Sequence, residues 1–145
     1  MDIPESPLPY PDAEVAVLDA LGEPLSRCNP VPEAVSWIPR DYDDQLSNVP
    51  LVVVQRIGTA GSAAGQVDGA IVEVGVLAST RATAWRLLGW LRAWMLTDDA
   101  KRAFETHRLI QVEEFSGPVM PAWVNPDHRY VKTNFRVSLR LERSR

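Results

Sequence analysis

The sequence holds a single cysteine, Cys28, and two histidines, His107 and His128. One thiol cannot close an internal disulfide, so nothing in the chain marks an oxidising compartment. No HxxxH, HExxH or CxxC spacing occurs, which leaves a zinc site without a local signature. Positive charge is also short, with 15 Lys and Arg against 19 Asp and Glu and a net charge of -4. A protein that grips nucleic-acid phosphates carries a basic excess, so specific DNA or RNA binding is not expected. Long apolar runs are missing. The nearest candidate, Ala82 to Leu96, is broken by Arg86 and Arg92 and falls short of the roughly 20 apolar residues that span a bilayer, so no membrane partner is expected. The opening MDIPESPLPYPD has three acids and no base, unlike a signal peptide.

Motifs that cradle phosphate or activate a nucleophile fail in turn. The glycine-rich stretch from Gly58 to Gly65 does not end in Gly-Lys-Ser/Thr, and its spacing is not GxGxxG, so neither the P-loop nor the dinucleotide fingerprint is present. Ser62 and Ser116 lack a G-x-S-x-G context. Asp43-Asp44 and Asp98-Asp99 have no EF-hand pattern around them and read as solvated loop or helix starts. Asp127-His128 can form half of an acid–base pair and Cys28 can serve as a thiolate. A turn histidine beside an aspartate, and a lone cysteine, are more often inert. A small oligomeric hydrolase on these three residues is the enzymatic alternative; the main expectation is a protein without catalysis, cofactor or metal.

What is present suits one soluble domain: 46% hydrophobic and 23% charged residues in 145. Eight of the twelve prolines precede residue 40, and residues 1–10 read as an extended arm ahead of a domain at 11–145. The first helix is expected from Pro11-Asp12, with Val15, Val17, Leu18 and Leu21 inward, ending at Gly22 and Pro24. A short strand at Val35 to Ile38 and a polar loop at Arg40 to Asn48 follow. Leu51 to Ile57 is β-branched and reads as a buried strand. Residues 58–66 form a flexible hairpin loop, and a second strand runs from Gly69 to Leu77.

Ser79 or Thr80 can cap a long helix ending near Leu96. Ala84, Leu87, Leu88, Leu91, Trp94 and Met95 share one broad face. Trp85, Gly89, Ala93 and Leu96 make a second apolar stripe. A helix apolar on two sides expects two covers, one of them the first helix or a neighbouring subunit. Of the five tryptophans, Trp94 and Trp90 read as core, while Trp85 and Trp123 are balanced between core and interface. Asp98 to Phe104 adds a helical turn, and Leu109 to Phe115 a strand.

The final strand alternates cleanly. Val131, Thr133, Phe135, Val137, Leu139 and Leu141 face one way; Tyr130, Lys132, Asn134, Arg136, Ser138 and Arg140 face the other. The basic row Lys132, Arg136 and Arg140 has few stacking aromatics, and Glu73 and Glu113 on facing strands can neutralise it. The pattern predicts an α+β domain: a mainly antiparallel sheet of four to five strands with two helices packed on one face.

The order of these features resembles the tail-terminator (tail-completion) proteins of long-tailed bacteriophages. The resemblance is carried by the helix opening at Pro11-Asp12, residues 49–58 (VPLVVVQRIG) before the glycine-rich hairpin, and residues 72–84 (VEVGVLASTRATA), where a strand turns into the long helix. Residues 112–118 (VEEFSGP) and 127–131 (DHRYV) then precede the alternating strand that ends LRL at 139–141. The similarity covers roughly residues 11 to 141. It implies a virion structural protein, assembled in the host cytoplasm. The implied form is a homo-oligomeric ring, commonly a hexamer, that caps the tail tube, ends its growth and meets a head–tail connector protein. A related neck or connector ring is the nearest alternative. On this reading Trp85, Gly89, Ala93, Gly58, Thr59, Gly61, Gly65 and Trp123 are candidates for subunit or partner contacts. Lys132, Arg136, Arg140, Glu73 and Glu113 are candidates for a polar sheet face beside a channel that passes DNA.

Overall fold

The computed structural model describes residues 1–7, 9–46, 49–60, 67–121 and 128–140. Nine elements follow in order: α1 (Ala13–Ser26), β1 (Glu33–Val35), α2 (Tyr42–Leu46), β2 (Leu51–Thr59), β3 (Val67–Ala78), α3 (Arg81–Met95), α4 (Asp98–Thr106), β4 (Leu109–Val119) and β5 (Arg129–Arg140). Five strands form one sheet in the order β1-β2-β3-β5-β4. The α+β class is as expected, with two corrections. The sheet is mixed, because β1 runs parallel to β2 (Glu33 opposite Leu51) while the other pairings are antiparallel. Four helices are present among the described residues where the pattern predicts two.

Each correction has a local cause. Strand β1 lies beside β2 in the same direction, which a tight hairpin turn cannot connect. The stretch expected as a loop there contains α2, whose Leu46 and Tyr42 tuck against Leu51, Val53, Leu77 and Tyr130 in a small second core. Helix α4 is a full element. Thr97 caps it, its hydroxyl accepting from Ala100 N–H at 3.1 Å, and it buries Ala100 and Phe104. Helix α1 starts as predicted, with Asp12 Oδ1 accepting from the N–H groups of Glu14 and Val15 at 2.9 and 3.2 Å. It does not stop at Gly22 and Pro24. The last turn carries Leu25 into the core together with Leu21, and that burial outweighs the one backbone bond a proline forfeits. The inward face of α1 is Ala13, Ala16, Val17, Ala20 and Leu21, with Val15 left outside.

The main core lies between the sheet and α1, α3 and α4. Strands β2, β3 and β5 send Val52, Val54, Val72, Val74, Val76, Val131, Phe135, Val137 and Leu139 into it, the inward set of the alternation in β5. Leu141 lies outside the described residues. On the other sheet face, the end near α2 is closed by the second core, and the rest carries mainly polar side chains, with Ile71 and Phe115 beside Arg136. The β2–β3 hairpin needs Gly69, because a Cβ there would overlap the Ala60 carbonyl.

Candidate assembly interface

The outer surface of α3 holds the second apolar stripe. Thr80 caps the helix, its Oγ1 accepting from Thr83 N–H at 3.2 Å. From that start the 3.6-residue repeat buries Ala84, Leu88, Leu91, Trp94 and Met95. Trp85 is half-buried, Gly89 and Ala93 are exposed, and Leu96 at the C-cap is 64% exposed. Around Gly89 no side chain of a non-adjacent residue lies within 4 Å of where a Cβ would stand, so the stripe is bare, open backbone there. The Trp85 indole N–H is buried without an acceptor, and the Arg81 guanidinium lies 5.7 Å from the Trp85 ring centroid. Trp94 is core, edge-on to Phe104 at 5.7 Å between centroids. Trp90 is not: it is 38% exposed, because it sits outside the arc that α3 turns to the sheet.

At the inner flank of α3, Arg92 makes a bidentate contact with Glu114 on β4, its Nε and Nη2 donating at 2.6 and 2.7 Å. The hydrogen-bonded guanidinium holds the Glu114 carboxyl below the usual carboxylate range, and the carboxylate in turn raises Arg92. The pair ties the long helix to an edge strand.

The polar sheet face is organised around Glu73. Tyr130 O–H donates to Glu73 Oε1 at 2.8 Å, and Lys132 Nζ lies 3.1 Å from Oε2. Tyr130 stands opposite Leu77 in the register and reaches Glu73 by crossing Gly75. A Cβ at Gly75 would overlap the phenol. Burial, with Glu73 alongside, pushes the phenol pKa far up. Farther along, Arg136 pairs with Glu113 at 3.6 Å and lies 5.2 Å from the Phe115 ring centroid. Arg140 is exposed at the end of β5. The basic row is thus largely matched by carboxylates on neighbouring strands.

Of the hairpin candidates, Gly58 is half-buried and Thr59 exposed at the end of β2. Gly61, Gly65 and Trp123 lie outside the described residues, as does Asp127. The alternation pattern placed Tyr130 among solvent-facing residues and so missed it. It also missed a cross-strand clamp at the hairpin base, where Arg56 Nη1 meets Asp68 Oδ2 at 3.1 Å while Arg56 N–H donates to Glu14 Oε2 of α1 at 2.8 Å. The register of β2 with β3 and the packing of α1 on β2 bring these groups together. His128 Nδ1 stands 3.2 Å from Asp43 Oδ1 without forming a hydrogen bond. The α3 stripe and the Glu73 network lie on opposite faces of the sheet, so the structure does not combine the candidate contacts into one patch.

A model of the phage tail termination protein family matches residues 9–145. The chain belongs to that family. No curated protein matches it. Tail termination proteins are structural components of the phage virion, and membership implies contact with other tail proteins. Among the described residues no group of three or more His, Cys, Asp or Glu is placed to hold a metal ion, and no helix is long and apolar enough to cross a membrane.

Proposed function

We propose that this tail termination protein assembles into a closed ring, most simply a hexamer, that sits on the last ring of the tail tube. There it stops tube growth and offers its far side to the head–tail connector, with assembly in the host cytoplasm. The observation that carries the reading is the exposed outer stripe of α3, where Gly89, Ala93 and Leu96 face solvent in a lone copy. A surface helix normally hides its apolar residues, and a head-to-tail contact closes into a ring when its rotation closes. The polar sheet face flanks the channel. Two of its three basic side chains, Lys132 and Arg136, are occupied by Glu73 and Glu113, and the chain is acidic overall, which suits a conduit that lets phosphate pass without gripping it. In this reading residues 1–10 act as an arm that docks on a neighbouring copy.

Native mass spectrometry and negative-stain imaging of the protein, alone and with tail tubes, test the proposal. Rings bound at tube ends are the expected result. A strict monomer that never binds a tube end defeats it, and binding to the portal side alone favours a neck ring instead.

A further inference from the structure

A ring needs two different surfaces on each copy, and the charges of this chain indicate which two. The outer strip of α3 is apolar with cationic margins only. No acid occurs between Arg81 and Met95. Arg81 and Arg86 are exposed, and among the described residues neither has a carboxylate partner. Between them and Ala93 lies the bare backbone at Gly89, with Trp90 next to it in sequence.

The complementary set lies across the sheet, in the segment that joins β1 to α2. Trp37 is 70% exposed, the most exposed aromatic side chain among the described residues. Asp41 is exposed and makes no side-chain ion pair among the described residues. Asp43 and Asp44 follow it on α2, and Arg40 is the one base in the run. The segment is anchored by Val35, Ile38 and Tyr42 in the second core, so Trp37 and Asp41 are presented from a fixed base. Three other exposed or half-buried acids are engaged within their own copy, Glu14 by Arg56 N–H, Glu23 by Arg27 and Asp99 by Arg102, while Asp19, Asp98 and Glu105 are exposed but do not stand beside an exposed tryptophan in sequence.

Two unlike patches on opposite faces of one sheet suit a heterologous contact, in which each copy offers one patch to the copy before it and the other to the copy after. We propose that residues 37–44 of one copy seat on the outer strip of α3 of the next, with Trp37 lying against the bare backbone at Gly89 and Asp41 facing Arg86 and Arg81. The indole supplies a rigid apolar anchor and lies within reach of a guanidinium face. The ion pairs set register and exclude the reverse docking. This inference rests on the ring reading and names the surfaces that form it.

Charge reversal tests it. Arg86→Glu and Asp41→Arg, each alone, are expected to raise the concentration needed for assembly by roughly tenfold or more. Arg86→Glu combined with Asp41→Arg in one chain restores assembly, and Trp37→Ala weakens it while leaving the circular dichroism and thermal unfolding of the free subunit unchanged. Single reversals that assemble like wild type, or a double variant that fails to recover, overturn the pairing while the ring stands. Wild type that stays monomeric, alone and with tail tubes, overturns the ring itself and the pairing with it.

Discussion

Glu73 is buried on a sheet face that is otherwise mostly polar and open, and its two oxygens are divided between Tyr130 and Lys132. A buried carboxylate is tolerable when its partners satisfy it. The bare backbone at Gly75 is what lets the phenol arrive. Gly75→Ala therefore displaces Tyr130 and is expected to cost about 1–3 kcal/mol in urea unfolding, the usual penalty for overpacking. Tyr130 also gives the protein an alkaline limit. Its folded pKa is raised, so the stability it contributes is complete below the unfolded phenol value of about 10 and is lost as pH rises above it. Tyr130→Phe should flatten the fall in stability above about pH 10. At neutral pH it should cost about 1–3 kcal/mol, because Glu73 Oε1 loses its donor. Chemical denaturation across pH measures both effects.

At the scale of elements, α3 has one flank fixed and the other unused. The fixed flank depends on Arg92 and Glu114, whose side chains are partly exposed, at 35% and 23%. Their contact is worth about 1 kcal/mol after allowance for solvent screening. Because the Glu114 carboxyl is held low, this stability is present in full above the unfolded carboxylate value of about 4.3. It disappears as pH falls from there through the lower folded value. Arg92→Gln should remove it at pH 7 and make stability less sensitive to acid below about pH 4. The unused flank contains Gly89, a helix-interior glycine in open space. Gly89→Gln is expected to stabilise the isolated subunit by about 0.5–1 kcal/mol, since glycine is a poor helix former, and to abolish ring formation by covering the bare backbone on which the neighbour seats. Calorimetry of the subunit and native mass spectrometry of the assembly should move in opposite directions.

For the whole molecule, the sheet separates two tasks. One face is sealed by α1, α3 and α4; the other is closed at one end by α2 and mostly polar over the rest. If neighbours meet through Arg81, Arg86 and Asp41, assembly weakens as salt shortens the range of these charges. Moving from 0.05 to 0.5 M NaCl should shift the sedimentation profile toward smaller species while the thermal unfolding of the subunit changes little.

Much of the fold was legible along the chain. The β5 alternation named its inward residues, Thr80 and Asp12 marked helix starts, and the ordered motifs pointed to the family. These signals are local: a pleat has period two, a helix 3.6, and a cap is decided within one turn. The rest needed contacts between segments far apart in sequence. Whether residues 42–46 coil or form α2 depended on a core pocket built by Leu51, Val53, Leu77 and Tyr130. The persistence of α1 past Pro24 depended on what Leu25 could bury against. Exposure of Trp90 was set by how far α3 rotates toward the sheet, and the Glu73 network by a register that no single strand encodes. Local pattern determined the elements; burial across the sheet decided where they end and which of their side chains meet.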